Sequence, residues 1–346
     1  MKRLLYLDCL RILAAFGVVL LHVACEGYSC YGVSTIEWHF LNMCNGLVRW
    51  SVPVFVMISG AIFLDTERGV TLRDIYLKHG LKIVIIIGLW EIADFMLLLV
   101  KSLYRNGVTF DSVWVSFRAL QYPPGISWFL FMLLGLYALV PVLKLVAHDK
   151  RALLYIMCLS FGLNAMTAFS DLLVHGDWVM KTIKLCGFDS FLGFVGYFCA
   201  GVYFKLYFDN RSAQIAVYWL GGMGALITVL GSSCLSLVYQ RPMNNFYYFL
   251  SPNVAFMTFA LFCLLKSCDM KNVSAKMLQV IFDVSRATLL IYFLHYYVIV
   301  GFRAAFGLSV IKIHVGFAPL IAVIVFCVSL GLAMVLLRNR RIRRIF

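Results

Sequence analysis

Charged residues are scarce in this sequence. Aspartate, glutamate, lysine and arginine together make up 13% of the 346 residues, whereas hydrophobic residues make up 63%. A globular protein usually has about a quarter charged and about half apolar residues. A soluble fold cannot bury so much apolar surface, so the composition excludes a soluble protein and predicts an integral membrane protein.

The sequence also lacks the alternation of polar and apolar residues that a transmembrane β-barrel needs in strands of ~10 residues. Segments such as KIVIIIGLW (82–90) are apolar on every face. A helix needs ~20 apolar residues to cross a membrane, and the chain has about ten such runs. We therefore predict an all-α, polytopic transmembrane helix bundle with spans near residues 8–27, 45–64, 79–100, 126–146, 151–168, 189–207, 213–238, 251–267, 287–306 and 317–337.

Long polar segments and internal repeats are absent too. The longest predicted connections, 101–125, 168–189 and 267–286, are short enough to be loops or small surface helices. We expect one membrane domain over residues 1–346. Because no repeat is visible, a transporter built from two similar halves is less favoured.

Most of the lysines and arginines fall on the side of the predicted spans that holds both termini. They include Lys2, Arg3 and the tail RNRRIRRIF (338–346). Such a bias predicts cytoplasmic N- and C-termini. Anionic lipid headgroups account for the net charge of +14, so we expect membrane lipids and no nucleic acid as partners. The polar residues of the first span distinguish it from a signal peptide, and we expect it to be retained.

The cysteines do not follow the spacing of a metal or redox motif. None of the 11 forms a CxxC pair, and most lie inside predicted spans, where a free cysteine behaves as a small apolar residue. We predict no metal site. Cys25, Cys30 and Cys44 lie toward the outer side, and the sequence leaves undecided whether two of them form a disulfide.

The first span carries three ionisable residues, Asp8, Arg11 and His22, in LDCLRILAAFGVVLLHVA (7–24). At ~100° per residue, Arg11 and His22 are only ~20° apart around the helix, and Asp8 is within ~60° of Arg11. A shared charged face must point into the bundle or a hydrated cavity, because ionisable groups facing lipid cost several kcal/mol. This pattern predicts either a functional site or an interfacial ion pair with a structural histidine hydrogen bond.

The same segment resembles the first-helix signature of the acyltransferase-3 family of membrane acyltransferases, in which an arginine or lysine and a histidine are separated by ten residues within a pattern near LDxLRxxAxxxVxxxH. Four later segments resemble further blocks of that family, in order along the chain: SVPVFVMISGAIFL (51–64), SWFLFMLLGLYALVPVL (127–143), FVGYFCAGVYF (194–204) and SRATLLIYFLHYYVI (285–299). Cys9 and Ile12 replace small residues that are frequent in the glycan-modifying branch, so the first helix resembles more closely the branch that includes small surface-polysaccharide O-acetyltransferases and the membrane part of serine racemases linked to vancomycin resistance.

The resemblance implies transfer of an acyl group, usually acetyl, from cytoplasmic acyl-CoA to a hydroxyl of a bacterial envelope or capsular glycan. Acetyl-CoA would be a co-substrate, with no permanently bound cofactor. His22 would act as general base or transient acyl acceptor, since imidazole exchanges protons near neutral pH. Arg11 would bind CoA phosphate or orient the donor, and Asp8 would hold Arg11 in place.

Basic residues in the second-to-third-helix loop are further donor-binding candidates. Arg73, Lys78 and Lys82 fall where relatives often show closely spaced arginines. They could contact the CoA phosphates, although cytoplasmic charges that only orient the chain are the alternative.

Five more polar or aromatic residues of the predicted spans are candidates for substrate contact. Glu91 and Asp94 share a helix face and could serve the acceptor pocket, or pair with Arg49 or another base. Trp128, Tyr292 and His295 fall in the family blocks, although an interfacial aromatic or a structural hydrogen bond would also explain them. The other histidines, His79 among them, look like loop or interface residues.

Two other functions stay open. A transporter or flippase for a polysaccharide, lipid-linked sugar or small solute would also need polar residues within a helical bundle. A non-catalytic sensor would keep its activity after loss of Arg11 and His22.

Overall fold

The computed structural model describes residues 4–106, 128–168, 193–270, 272–307 and 310–345. Regular structure within these ranges is entirely helical. The α-helices are α1 Leu5–Tyr28, α2 Ile36–Gly46, α3 Ser51–Phe63, α4 Leu81–Asn106, α5 Trp128–Val146, α6 Lys150–Ala168, α7 Val195–Leu206, α8 Arg211–Leu226, α9 Ser232–Tyr239, α10 Pro252–Ser267, α11 Ala275–Phe306, α12 Val310–Ile313, α13 Ala318–Arg338 and α14 Arg340–Ile345. π-Helical turns, Asp74–Gly80 and Ile227–Gly231, precede α4 and α9.

The predicted polytopic helix bundle is confirmed. Within the described ranges, 8 helical stretches are long and apolar enough to cross a membrane: Leu5–Tyr28, Ile36–Phe63, Asp74–Tyr104, Trp128–Val146, Arg211–Tyr239, Asn245–Ser267, Ala275–Ala305 and Val315–Arg338. Helices α6 and α7, at the fifth and sixth predicted spans, are outside this set because α7 is short and α6 less apolar. A count of about ten spans therefore stays a prediction.

Two boundaries differ from the prediction. The second membrane stretch begins at Ile36, not near residue 45, because α2 carries polar side chains that hydropathy excludes but the bundle accommodates. Asn42, for example, donates to the carbonyl oxygen of Val229 at 2.9 Å. Helix α11 begins at Ala275, where Ser274 caps it, so part of the predicted connection 267–286 is helical. Most of the predicted connections 101–125 and 168–189 lies outside the described residues.

Side-chain contacts establish which helix ends meet. Near the start of α1, Ser285 of α11 contacts Asp8, and Lys205 at the end of α7 forms an ion pair with Asp65, just after α3. We call this the N-terminal end of the bundle. At the opposite end, which we call the far end, Arg303 lies 3.8 Å from Glu26. Positive-inside topology predicts that the N-terminal end is cytoplasmic.

Helix α1 is central to the bundle, because it packs against α2, α3, α11 and α13. Helices α3 and α7 approach even more closely. A Cβ atom at Gly201 would lie 1.9 Å from the carbonyl oxygen of Met57, and one at Gly60 would lie 1.8 Å from that of Phe198. Small residues permit such backbone contact between membrane helices. This tight pair supports α3 against α1.

Candidate active site

Asp8, Arg11 and Ser285 join α1 to α11 near the N-terminal end. Asp8 is only 1% exposed, and its Oδ1 accepts a hydrogen bond of 2.5 Å from Ser285. Arg11 Nη1 lies 3.5 Å from the same oxygen, while the Arg11 side chain stays 33% exposed. Asp8 therefore anchors one edge of the guanidinium.

Arg11 lines a cavity of about 410 Å³ between α1, α3, α4, α5 and α11. The basic side chains in its wall are Arg11, His79, Lys82 and Arg286, and aliphatic and aromatic residues form most of the remainder. Tyr292 lies about 9 Å further along α11 than Arg286, at 1.5 Å per residue. The cavity thus runs from a cationic region at the N-terminal end toward an apolar interior.

Two histidines meet in the interior of the bundle. The rings of His22 and His295 have centroids 5.0 Å apart and an interplanar angle of 71°. His22 Nδ1 bonds to the carbonyl oxygen of Val18 at 2.9 Å, and His295 Nδ1 to that of Ile291 at 3.1 Å. Because a carbonyl can only accept, each Nδ1 carries the proton and each neutral ring keeps its lone pair on Nε2. Both imidazoles can therefore accept a proton at Nε2.

Tyr292 links the cavity to the histidine pair. Its ring lies in the cavity wall and 5.8 Å from the ring of His295. Neither imidazole belongs to that wall among the residues described, so Tyr292 is a wall residue through which the cavity adjoins His295. His295 is fully buried, and its Nε2 has no hydrogen-bond partner in the described chain.

Only one of the three predicted donor-binding residues of the loop lines the cavity. Lys82 lies in the cavity wall, whereas Arg73 and Lys78 are exposed and are not part of it. His79, which looked like a loop residue in the sequence, lines the cavity. The π-helical turn Asp74–Gly80 shifts the angular spacing of the residues before α4, so an α-helical period does not predict which of them face inward.

Glu91 and Asp94 do not form the ion pair with Arg49 that the sequence suggested, as far as the described residues go. Asp94 instead accepts hydrogen bonds from Trp90 Nε1 at 3.0 Å and from the Tyr297 hydroxyl at 2.9 Å. Both carboxylate oxygens of Glu91 are buried without a hydrogen-bond partner in this part of the chain. The structure places both carboxylates on α4, outside the cavity wall.

An acyltransferase domain matches residues 4–338, almost the whole chain. The chain belongs to the acyltransferase-3 family. The resemblance seen in the sequence is thereby confirmed, and the protein is an integral membrane acyltransferase. Neither the curated proteins nor the solved structures include a match to it.

Trp128 of the acyltransferase belongs to an aromatic cluster beside the cavity. Its ring stacks on Phe249 with centroids 5.7 Å apart and an interplanar angle of 23°. It also contacts Phe129, a cavity residue. Arg49 lies next to this cluster, with its guanidinium carbon 5.8 Å from the Phe249 centroid and 4.2 Å from that of Tyr247.

Sequence reasoning missed four site residues of the acyltransferase: Arg49, His79, Ser285 and Arg286. Arg49 had a usable signal, because a lone charge directly before the apolar block SVPVFVMISG is costly unless it serves a function. Ser285 and Arg286 begin the family block 285–299 but also fall in the predicted connection 267–286, and the longer α11 brings them to the cavity.

The cysteines of the described ranges form neither a disulfide nor part of a metal site. Cys25, Cys30 and Cys44 are free thiols, so the disulfide left open by the sequence does not form in the structure. Across the described residues, no group of three or more histidine, cysteine, aspartate or glutamate side chains is placed to hold a metal ion.

Proposed function

We propose that this acyltransferase transfers an acetyl group from acyl-CoA to a hydroxyl of a bacterial envelope or capsular glycan, in the bacterial inner membrane. One observation supports the proposal most strongly: a cationic cavity at the N-terminal end leads to Tyr292, which contacts the His22–His295 pair. A phosphate-bearing donor with a slender acyl arm matches both parts of this arrangement.

The cationic part of the cavity suits the nucleotide end of CoA. Arg11, Lys82 and Arg286 come from three different helices and offer charge-assisted hydrogen bonds to phosphate oxygens. Asp8 and Ser285 hold Arg11 in one orientation, which reduces the side-chain entropy lost when a donor binds. The thioester would then extend along the aromatic wall toward Tyr292.

His22 supplies the base. Its Nε2 takes the proton from the acceptor hydroxyl while the hydroxyl oxygen attacks the thioester carbonyl carbon. The C–S bond then breaks, the ester forms, and the imidazolium returns the proton to the leaving thiolate, giving CoA. Alternatively, Nε2 attacks the thioester carbonyl carbon and the C–S bond breaks, which leaves an acyl-imidazole and the CoA thiolate. The acceptor hydroxyl then attacks the acyl carbon, the C–N bond breaks, and the hydroxyl proton passes through His295 Nε2 to the thiolate. His295 Nε2, which has no hydrogen-bond partner among the described residues, can thus hold the proton in either route.

The decisive experiment follows radiolabelled acetyl-CoA with purified protein in lipid vesicles and envelope extract as acceptor. Wild type is compared with His22→Ala, and His148→Ala serves as a control because His148 contacts Thr66 near the N-terminal surface. CoA release and glycan label should fall at least ~100-fold in His22→Ala, the usual range for loss of a general base. Unchanged release in that variant would overturn the assignment. Solute flux without acetyl-CoA consumption would favour a transporter.

A further inference from the structure

Arg49 is a cation held between aromatic rings midway along the membrane stretch Ile36–Phe63. It lies in the break between α2 and α3, with its guanidinium carbon 4.2 Å from the Tyr247 ring centroid. Its Nε is buried and has no hydrogen-bond partner in the described residues. Among the residues that the structure describes, no carboxylate forms an ion pair with Arg49.

A cation in this position calls for an anionic partner. Contact with an aromatic face compensates only part of the cost of removing a guanidinium from water. Ionisable groups within a membrane helix bundle usually line a substrate path or pair with another charge. Because the described chain supplies no such charge to Arg49, a bound anion is the simplest partner.

The surroundings of Arg49 include a polar edge formed by Asn45 and Cys25. Asn45 donates from Nδ2 to Cys25 Sγ at 3.2 Å, while Asn45 Oδ1 has no partner among the described groups. Cys25 is exposed and lies within electrostatic range of Arg49. Next to Arg49, the stacked rings of Phe249 and Trp128 offer an apolar wall. A guanidinium, a polar edge and aromatic faces together resemble a pocket for a small polar ligand.

The polar edge of this cluster lies beyond His22 along α1, whereas its aromatic wall adjoins the cationic cavity through Trp128 and Phe129. Arg11 is about 16 Å before His22 along α1, whereas Cys25 is about 4.5 Å beyond it. Arg49 lies within electrostatic range of His22 as well. A ligand held at Arg49 could therefore present a hydroxyl to His22 from the side of Cys25, while the acyl donor reaches it from the N-terminal end.

We infer that Arg49 forms an anion-binding subsite for the acyl acceptor, which carries a carboxylate or phosphate group near the reactive hydroxyl. The inference rests on the proposed function and names the acceptor class as an anionic sugar. Arg49 would bind the anion through paired N–H donors, a geometry that lysine cannot reproduce.

Alkylation of Cys25 tests the subsite without any acyl transfer. The protein carries Cys30→Ser so that the neighbouring exposed thiol does not react, and N-ethylmaleimide modification of Cys25 is followed by peptide mass spectrometry. The probes are glucuronate, glucose 6-phosphate and glucose, at equal concentration and ionic strength. Glucuronate or glucose 6-phosphate should slow modification several-fold, while glucose should not. The stronger of the two identifies the anion as carboxylate or phosphate.

Variants assign any protection to Arg49. Arg49→Gln should lose the difference between anionic and neutral sugars, and Arg49→Lys should keep only part of it. Arg303→Gln is the matched control, since Arg303 is an arginine at the far end that pairs with Glu26. The comparison of sugars in the wild-type protein does not depend on how any variant folds.

Three outcomes would overturn the inference: equal protection by glucose, full protection retained in Arg49→Gln, or no protection by either anion. The last is also expected if a carboxylate of the chain itself occupies Arg49. None of these results bears on donor chemistry, because acetyl-CoA is absent. Failure of the proposed function would appear separately, as missing CoA release in the wild-type vesicle assay.

Discussion

His22 and His295 lie with their rings 5.0 Å apart, and each donates its Nδ1 proton to the carbonyl oxygen four residues earlier in its own helix. The helices themselves therefore fix the tautomer of both rings. Two basic nitrogens in one apolar interior make it costly to protonate both at once, because like charges repel strongly at low dielectric. The pair is thus suited to hold one proton at a time.

Loss of His295 should reduce turnover less than loss of His22. We expect His295→Ala to lower the rate of acyl transfer about 10-fold to 100-fold, because His22 keeps its position but loses the neighbour that shares its proton. The rate at saturating acetyl-CoA measures this effect. If the double variant with His22→Ala loses the sum of both effects in free energy, the two histidines act independently and the shared-proton role is wrong.

Donor affinity should depend on the cavity and not on the exposed loop. Lys82→Ala and Arg11→Ala should each raise the KM for acetyl-CoA about 10-fold, in line with about 1.5 kcal/mol or more for a hydrogen bond to a charged group. Arg73→Ala should leave it unchanged, since Arg73 is exposed and outside the cavity wall. Initial rates over a range of acetyl-CoA concentrations give the KM of each variant. A larger rise in KM in Arg73→Ala than in the cavity variants would place the donor phosphates on the loop.

Tyr292 should limit the length of the acyl group. Its ring lies between the cavity and His295, so Tyr292→Ala removes bulk along the route to the histidines. We expect that variant to gain in kcat/KM for butyryl-CoA relative to acetyl-CoA, while Tyr292→Phe keeps the wild-type preference. An unchanged ratio in Tyr292→Ala would show that the acyl group takes another route.

The close contact of α3 with α7 should make Gly201 intolerant of any side chain. A Cβ there would lie 1.9 Å from the carbonyl oxygen of Met57, so Gly201→Ala must push the helices apart. We expect a loss of about 1–3 kcal/mol in stability, typical of overpacking. Gly222→Ala is the control, because a Cβ at Gly222 meets no atom within 4 Å. Thermal unfolding in detergent measures both, and equal Tm values would contradict the predicted contact.

Much of the architecture was predictable from local properties of the chain. Apolar runs of membrane length predict helices because the bilayer leaves backbone groups no other hydrogen-bond partners. The predicted helix boundaries were wrong where polar side chains find hydrogen-bond partners on other helices, as Asn42 does at the carbonyl oxygen of Val229. His79 was likewise not recognised as a cavity residue, because the residues of the π-helical turn before α4 do not follow the α-helical period.

The sequence by itself determined the membrane class, the helical bundle, the family and the shared face of Asp8, Arg11 and His22, because these depend on hydropathy and on the period of a single helix. Only the tertiary structure decided that His295 meets His22, that Ser285 binds Asp8, and that Arg49 lies between aromatic rings without a charged partner in the described chain. These contacts join residues that lie far apart in the sequence, so no local pattern records them. They follow from how the helices pack against α1.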